Sequence, residues 1–204
     1  MSIHTPRTII RSWNRYDDER SQFWPEYHDP FEGIWNLQRP QSPFSGAWLN
    51  DFIGSRRHWA VDDRAGNLMG RISLRDINKD DKTARLGITF SAEYVGKGLG
   101  TEAMRGFLDY YFDELGFVVM MLDVAAPNER AVRSYRSLGF AYVESDWRNA
   151  YNSISMSLLD TPSYRHLKPH VREDQGAIWI EFFEMRLTHD MWTQHRDGAS
   201  ATGE

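Results

Sequence analysis

The feature that most constrains this fold is a glycine-rich segment, Val95-Gly96-Lys97-Gly98-Leu99-Gly100-Thr101, between two apolar stretches of different periodicity. The stretch before it, 85–90, reads as a strand, and apolar residues after it recur at the four-residue step of an amphipathic helix over 100–115. Alternate glycines let a backbone approach a ligand closely, and the N–H groups at a helix start attract phosphate. The segment therefore predicts a phosphate-binding loop, with a plain tight turn as the alternative.

Neither familiar nucleotide-binding pattern fits this segment. The P-loop needs four residues between its glycines followed by Gly-Lys-Ser/Thr, which the segment lacks. The dinucleotide pattern, counted from Gly98, needs a third glycine where Thr101 stands. A nucleotide-binding protein is therefore a disfavoured alternative, and the identity of the phosphate ligand stays open on the loop alone.

The remaining chain alternates strand-like and helix-like stretches. Strands are predicted over 8–13, 58–61, 68–74, 85–90, 117–122, 140–145 and 153–159, and helices over 44–56, 100–115 and 128–139, with a short helix and loop between 17 and 34. This order predicts an α/β fold with a mixed sheet.

Charge and cysteine content exclude several classes of protein. The 204 residues carry 24 Lys and Arg against 29 Asp and Glu, a formal charge of −5, which argues against general nucleic-acid binding. The absence of cysteine excludes disulfides, thiolate metal sites and a cysteine nucleophile. Since no signal-like or membrane-spanning apolar run is present, we expect a soluble, cytoplasmic protein.

Read together, three stretches of the chain resemble the GNAT superfamily of N-acetyltransferases, most closely its ribosomal-protein, RimJ/RimL-like branch. The stretches are Leu86-Gly87-Ile88 with Glu93 to Ala103, Ala126-Pro127-Asn128-Glu129-Arg130-Ala131, and Ser134-Tyr135-Arg136-Ser137-Leu138-Gly139-Phe140. The resemblance implies a mostly antiparallel sheet flanked by helices, in which the fourth and fifth strands are parallel and splayed. It also implies acetyl-CoA as co-substrate, with no metal.

The resemblance further implies which residues contact the cofactor. The main chain of Ile88, Thr89 and Phe90 would face the pantetheine arm, and Gly96 to Thr101 would hold the diphosphate. The cofactor-binding set is completed by Val95, Asn128, Ala131 and Tyr135. Many relatives carry Arg or Gln where Val95 stands, so one side-chain anchor is missing. Asn128 is equally suited to capping its helix.

Tyr135 matches the tyrosine that acts in many relatives as general acid toward the departing thiolate, although it also fits the apolar face of its helix. Relatives often carry a glutamate base near Arg85, and arginine cannot accept a proton at physiological pH. Asp76 and Asp123 are the nearest carboxylate candidates for that base, and turn or strand-end roles are the alternative. With no cysteine available, transfer is expected to run directly from acetyl-CoA to the amine.

Acidic and aromatic residues between 24 and 35 fall where relatives build the acceptor site. Carboxylates and aromatic faces suit a cationic amine, so we expect Glu26 and Trp35 to bind the acceptor, with a solvated loop as the alternative. Open acceptor classes are ribosomal-protein α-amines, aminoglycosides, polyamines and amino-acid-like metabolites. A non-catalytic acyl-CoA-binding module is the rival to an acetyltransferase.

The resemblance ends near residue 159, which divides the chain into a transferase domain over 1–159 and a C-terminal extension over 160–204. The extension holds five basic and eight acidic residues, a balance of −3. Its aromatic stretch 178–187 predicts a strand that extends the sheet, covers the acceptor cleft or pairs with a second subunit in a homodimer. His166 and His170 have a helical metal-ligand spacing, but Pro169 between them favours ordinary loop histidines.

Overall fold

A computed structural model describes residues 2–28, 31, 56–150 and 154–201, which form one nine-stranded sheet. The strands are β1 (Ser2–His4), β2 (Thr8–Ser12), β3 (Arg57–Asp63), β4 (Leu68–Asn78), β5 (Thr83–Phe90), β6 (Val119–Ala125), β7 (Ala141–Asn149), β8 (Val171–Asp174) and β9 (Ala177–Thr188). Their order in the sheet is β1-β2-β3-β4-β5-β6-β9-β7, and β8 also pairs with β9. Only β5 and β6 run parallel, so the mixed, mostly antiparallel sheet is confirmed.

Four α-helices accompany this sheet in the described part of the chain: α1 (Arg15–Ser21), α2 (Leu99–Asp109), α3 (Glu129–Arg136) and α4 (His189–Ala201). A π-helical turn, Tyr110–Glu114, continues α2 to the predicted end of that helix. The helix predicted over 44–56 lies, apart from its last residue, outside the described residues. No helix among the described residues is long and apolar enough to cross a membrane.

The two faces of the sheet differ sharply in polarity, because strand side chains alternate. On one face, Ile72, Leu86 and Leu122 are buried against Phe107 of α2 and Val132 of α3. On the opposite face the intervening positions of the central strands include four charged residues: Arg75, Arg85, Asp123 and Glu184. The helices therefore cover one face, and the other carries polar chemistry.

The strand predicted over 153–159 is wrong. Met156–Asp160 is a 3-10 helix, and residues 151–153 lie outside the described part of the chain. The Ser-x-Ser-x-Ser alternation in this stretch imitates a strand, but Ile154 and Leu159 instead bury their side chains in a second, smaller apolar cluster. In an extended strand a five-residue step would place these two side chains on opposite faces, so their burial in one cluster disfavours a strand.

The aromatic stretch of the C-terminal extension forms β9, which lies inside the sheet. Val119 to Ala125 of β6 pair with Phe182 to Thr188, and β7 pairs with the other edge of β9. Residues from both sides of position 159 thus build the same sheet. Both edges of β9 are paired within the chain, so this strand has no free edge for a second subunit, and a homodimer through other surfaces stays a prediction.

Candidate active site

A wedge-shaped opening separates β5 from β6. The two strands pair only from Thr83 opposite Val119 to Leu86 opposite Leu122, although β5 continues to Phe90. The Ser91 N–H donates to the Met69 carbonyl at 2.8 Å. In an antiparallel ladder, successive residues direct their N–H and C=O groups alternately to the two sides of the strand. The backbone groups of Thr89 therefore face β4, and those of Ile88 and Phe90 face the opening. The opening therefore presents backbone donors and acceptors of β5 that β6 does not pair.

The glycine loop adopts a conformation that glycine allows at little cost. Gly96 and Gly98 have φ values of +78° and +75°, and Gly98 is the N-cap of α2 without a side-chain cap. A Cβ added to Gly96 would meet no atom within 4 Å, so its backbone faces open space. Gly100 packs against the Phe90 ring, where a Cβ would lie 3.5 Å away. The loop thus presents N–H groups at the positive end of α2, as a phosphate cradle requires.

Gly98→Ala is expected to weaken binding of CoA. A side chain at this φ costs about 1–2 kcal/mol, and relaxing that strain turns loop N–H groups away from the ligand. We expect stability to fall by about 1 kcal/mol and the Kd for CoA, measured by calorimetry, to rise about tenfold, the equivalent of one hydrogen bond. Gly116→Ala is the matched control, since Gly116 has φ +70° with open space around it at the far end of the helix. Equal CoA binding by both variants would contradict the role of the loop.

A carboxylate ties the N-terminal segment to the start of α2. Glu102 Oε1 accepts hydrogen bonds from the Thr5 hydroxyl at 2.7 Å and the Arg7 N–H at 2.6 Å, and its Oε2 accepts from Arg7 Nε at 2.6 Å. Partial burial alone would raise the pKa of Glu102, but the Thr5 and Arg7 hydrogen bonds outweigh it and hold the pKa below its usual range. Sequence reasoning missed this contact, because the two partners are far apart in the chain.

Helix α3 lies beside the glycine loop. Its N-cap Asn128 accepts a hydrogen bond from the Ala131 N–H at 3.2 Å, so the capping role of this side chain is present. Ser134 and Thr101 join the two helices through a 2.7 Å hydroxyl contact. That contact places Tyr135, the next residue, close to the start of α2.

The Tyr135 side chain is partly buried, and its ring packs edge-on against Phe140 at a centroid distance of 5.8 Å. Desolvation by burial raises the pKa of its phenol above the ordinary value. No group within the described ranges hydrogen-bonds to the Tyr135 hydroxyl. Buried hydroxyls are normally paired, so this one is suited to a ligand. Tyr135 thus lies on α3, the helix that contacts the start of α2, and its hydroxyl has no partner among the described residues.

Asp123 lies at the point where β6 leaves β5, on the charged face of the sheet, and is held by three arginines. Arg75 Nη2 donates to its Oδ2 at 2.5 Å, and Arg85 Nη1 and Arg148 Nη2 donate to its Oδ1 at 2.7 and 3.1 Å. Partial burial opposes the charge, but the hydrogen bonds from Arg148 and Arg75 hold the pKa of Asp123 below its usual range. A carboxylate held in this way is a weak proton acceptor.

These groups line a pocket of about 410 Å³, formed by Arg75, Arg85, Asp123, Glu144, Asp146, Arg148 and Glu184. Asp76, the other candidate base, lies near this pocket, where its Oδ2 accepts from Arg75 Nη1 at 2.9 Å. Its side chain is 64% exposed, and its φ is +51°. Arg85, at the position where relatives often carry glutamate, instead bridges Asp123 and Glu184.

Tyr27, in the acidic and aromatic stretch predicted to bind the acceptor, reaches the opening. The Tyr27 hydroxyl donates a hydrogen bond to the Phe90 carbonyl at the unpaired edge of β5, and burial raises the pKa of Tyr27. Glu26, one residue earlier, is exposed. Trp35 lies outside the described residues. The Tyr27 contact was not singled out from the sequence, where its only signal was its place in an acidic and aromatic stretch.

The two histidines with metal-ligand spacing, His166 and His170, have other partners. His166 Nε2 lies 3.5 Å from Glu129, and His170 Nδ1 lies 2.8 Å from Glu181. They lie in a 3-10 helix, Arg165–His170, that contains Pro169. Among the described residues, no group of three or more potential ligands is arranged for a metal ion.

Comparison with known proteins shows which family and which enzymes this chain is similar to. A family model described as an acetyltransferase (GNAT) domain matches residues 7–141. The chain is 35% identical over 179 residues to the spermidine N(1)-acetyltransferase of Escherichia coli strain K12, covering 80% of this chain and 91% of that protein. It is 34% identical over 118 residues to the Vibrio cholerae spermidine N(1)-acetyltransferase, covering 58% of this chain and 64% of that protein.

Solved structures show the same fold. The spermidine N-acetyltransferase from Vibrio cholerae in complex with CoA and spermine superimposes with a TM-score of 0.67 at 20% identity. The match covers 91% of this chain and 98% of that one.

Proposed function

We propose, from the premise that this chain belongs to the GNAT acetyltransferase family, that its acceptor is a polyamine. The chain is an acetyl-CoA-dependent N-acetyltransferase that acts on amines. The observation that carries the narrower assignment is the 35% identity to a spermidine N(1)-acetyltransferase over 80% of the chain. The position of Glu26 supports it, because an exposed carboxylate one residue from Tyr27 suits a cation entering at the opening.

The residues of the opening fit acetyl-CoA. The backbone groups of Ile88, which β6 does not pair, suit the amide-containing arm, and the positive-φ glycines leave an open cradle at the helix start. When bound, acetyl-CoA supplies an acyl group activated as a thioester, with a thiolate as leaving group. The Ile88 N–H is oriented to polarise a carbonyl placed in the opening, which stabilises the developing oxyanion.

Tyr135 is proposed to hold the proton that the leaving thiolate needs. Its phenol is protonated at neutral pH, as an ordinary tyrosine is, and burial raises its pKa further; its hydroxyl has no competing partner in the described part of the chain. The acceptor amine must lose a proton before it attacks, and its pKa of about 10.4 makes the neutral form a minor species at pH 7. Asp76 is the more exposed of the two carboxylate candidates for that proton, since Asp123 is held by three arginines.

Release of CoA tests the proposal directly. We expect thiol release from acetyl-CoA when the purified protein receives spermidine or spermine, and mass spectrometry should show monoacetylated product. The chain has no cysteine, so a thiol-reactive dye reports released CoA without a protein background. Peptides with ribosomal-protein N-termini, the acceptor class of the RimJ/RimL-like branch, and aminoglycosides form the comparison arms.

The outcomes separate the alternatives. Turnover confined to peptide α-amines would refute the polyamine assignment and favour the RimJ/RimL-like branch. CoA binding without transfer to any acceptor would favour the non-catalytic module.

Glu26→Gln is expected to raise the KM for spermidine several-fold and leave the Kd for acetyl-CoA unchanged, since it removes one of the charges that attract the amine.

A further inference from the structure

Arg7 lies over the glycine loop although it belongs to the turn between β1 and β2. Its Nη1 donates to the Lys97 carbonyl at 3.2 Å. Its Nη2 lies 3.6 Å from the position that a Cβ on Gly98 would take. The guanidinium therefore adjoins the backbone that forms the phosphate cradle, on the side where Gly98 has no side chain.

The orientation of this guanidinium is fixed by Glu102. The carboxylate binds Arg7 at both its backbone N–H and its Nε, and Thr5 holds the same carboxylate from the other side. With Nε and Nη1 engaged, Nη2 is the donor that no group in the described part of the chain accepts from. The side chain is 55% exposed, so a ligand at the loop can reach it.

The ion pair between Arg7 and Glu102 changes the charge that a ligand meets at the start of α2. A carboxylate in the first turn of α2 would repel a diphosphate bound at the helix start, and Arg7 neutralises that carboxylate. Val95, the first side chain of the loop segment, offers no hydrogen-bond donor. A guanidinium fork matches the spacing of phosphate oxygens and is well suited to supply the missing side-chain contact.

We propose that Arg7 binds the diphosphate of acetyl-CoA, supplying the side-chain contact that Val95 cannot make. Nη2 donates to a phosphate oxygen, while Glu102 keeps the guanidinium in place. This proposal rests on acetyl-CoA as the donor substrate and is independent of which amine accepts the acetyl group. Arg7 is thus a ligand-binding residue that the glycine motif itself does not contain.

Calorimetry with two ligands tests the proposal. We expect Arg7→Gln to weaken CoA binding about tenfold to hundredfold, the range for a hydrogen bond to a charged group. Binding of acetyl-pantetheine, which lacks the diphosphate and is titrated at higher concentration, should stay within about twofold. Arg105→Gln is the matched control, because it removes the same charge from an exposed position on α2. It should leave both affinities unchanged.

Two results would overturn the proposal. Equal CoA binding by Arg7→Gln and Arg105→Gln would show that Arg7 does not contact the ligand. Equal loss of CoA and acetyl-pantetheine binding would show that Arg7 only holds the loop in shape. Neither result depends on polyamine turnover, so this test and that of the acceptor can fail separately.

A second measurement on the unaltered protein guards against a variant that fails to fold. An arginine-selective dicarbonyl reagent should modify the exposed Arg7, and mass spectrometry can map the site. We expect CoA to protect Arg7 and acetyl-pantetheine to leave it reactive, with Arg105 reactive in both cases. Full modification of Arg7 in the presence of saturating CoA would contradict the proposed contact.

Discussion

Tyr135→Phe is expected to lower turnover at least about a hundredfold, the lower range for loss of a general acid. Only the hydroxyl is removed, and the ring keeps its contact with Phe140, so the fold should be retained. The proposed role of the hydroxyl arises only as charge develops on the leaving sulfur, so the Kd for acetyl-CoA should change by no more than about twofold. Stopped-flow acetyl transfer and calorimetry measure the two quantities.

Tyr110→Phe is the control for this change. Tyr110 is also partly buried, but its ring packs against Trp59 and Phe107, away from the opening. The Tyr110→Phe variant should retain normal turnover.

The rate of the unaltered protein should rise from pH 7 to 10 as the amine deprotonates. Because burial raises the pKa of Tyr135, the phenol keeps its proton beyond pH 10 and does not limit this rise. Unchanged turnover in Tyr135→Phe would remove this residue from the mechanism.

Asp123→Asn is expected to destabilise the protein by roughly 2–3 kcal/mol. The variant leaves Arg75, Arg85 and Arg148 converging on a neutral side chain that is 9% exposed in the native protein. Breaking a fully buried ion pair costs about 3–5 kcal/mol, and the partial exposure of the arginines reduces that figure. Chemical denaturation measures the loss. Asp146→Asn is the matched control in the same pocket, since Asp146 is 58% exposed and should cost less than about 1 kcal/mol.

The pH dependence of this loss has a defined direction. The folded pKa of Asp123 lies below its unfolded value of about 3.9, so its stabilising contribution is present above that pH and is lost as the pH falls through the folded pKa. The difference between the unaltered protein and Asp123→Asn should therefore be constant from pH 5 to 8 and shrink below pH 4. A difference that grows on acidification would contradict the assigned ion network.

The glycine loop and its neighbours could be predicted because their determinants are local. Positive φ at Gly96 and Gly98 and the capping of α3 by Asn128 each depend on a few consecutive residues. The prediction of a parallel, splayed pair of strands came from the resemblance to the GNAT superfamily. The pairing of β5 with β6, which stops at Leu86, is consistent with that prediction. The acceptor role of Glu26 stays a prediction, and its neighbour Tyr27 contacts the Phe90 carbonyl at the opening.

The ion network on the charged face could not be predicted, because its members come from four strands that are distant in sequence. Alternation places Arg75, Arg85 and Asp123 on one face, but it does not determine that three arginines share one carboxylate. The bond between Arg7 and Glu102 is likewise non-local. Conversely, the alternating serines in 153–159 resemble the pattern of a strand, but the structure has a 3-10 helix there. The strand prediction is wrong because Ile154 and Leu159 are buried in the same apolar cluster, which the serine pattern does not reveal.

The interior position of β9 has a consequence for biosynthesis. Strands β6 and β7 lie on either side of β9, which is formed by the later segment Ala177–Thr188. A nascent chain that has emerged as far as residue 159 therefore carries two facing edges with unsatisfied backbone groups, which are sites of aberrant pairing. The long sequence separation between β6 and β9 also slows their association. The sheet is thus completed only once Ala177–Thr188 has been synthesised, and until then the edges of β6 and β7 stay open to aberrant pairing.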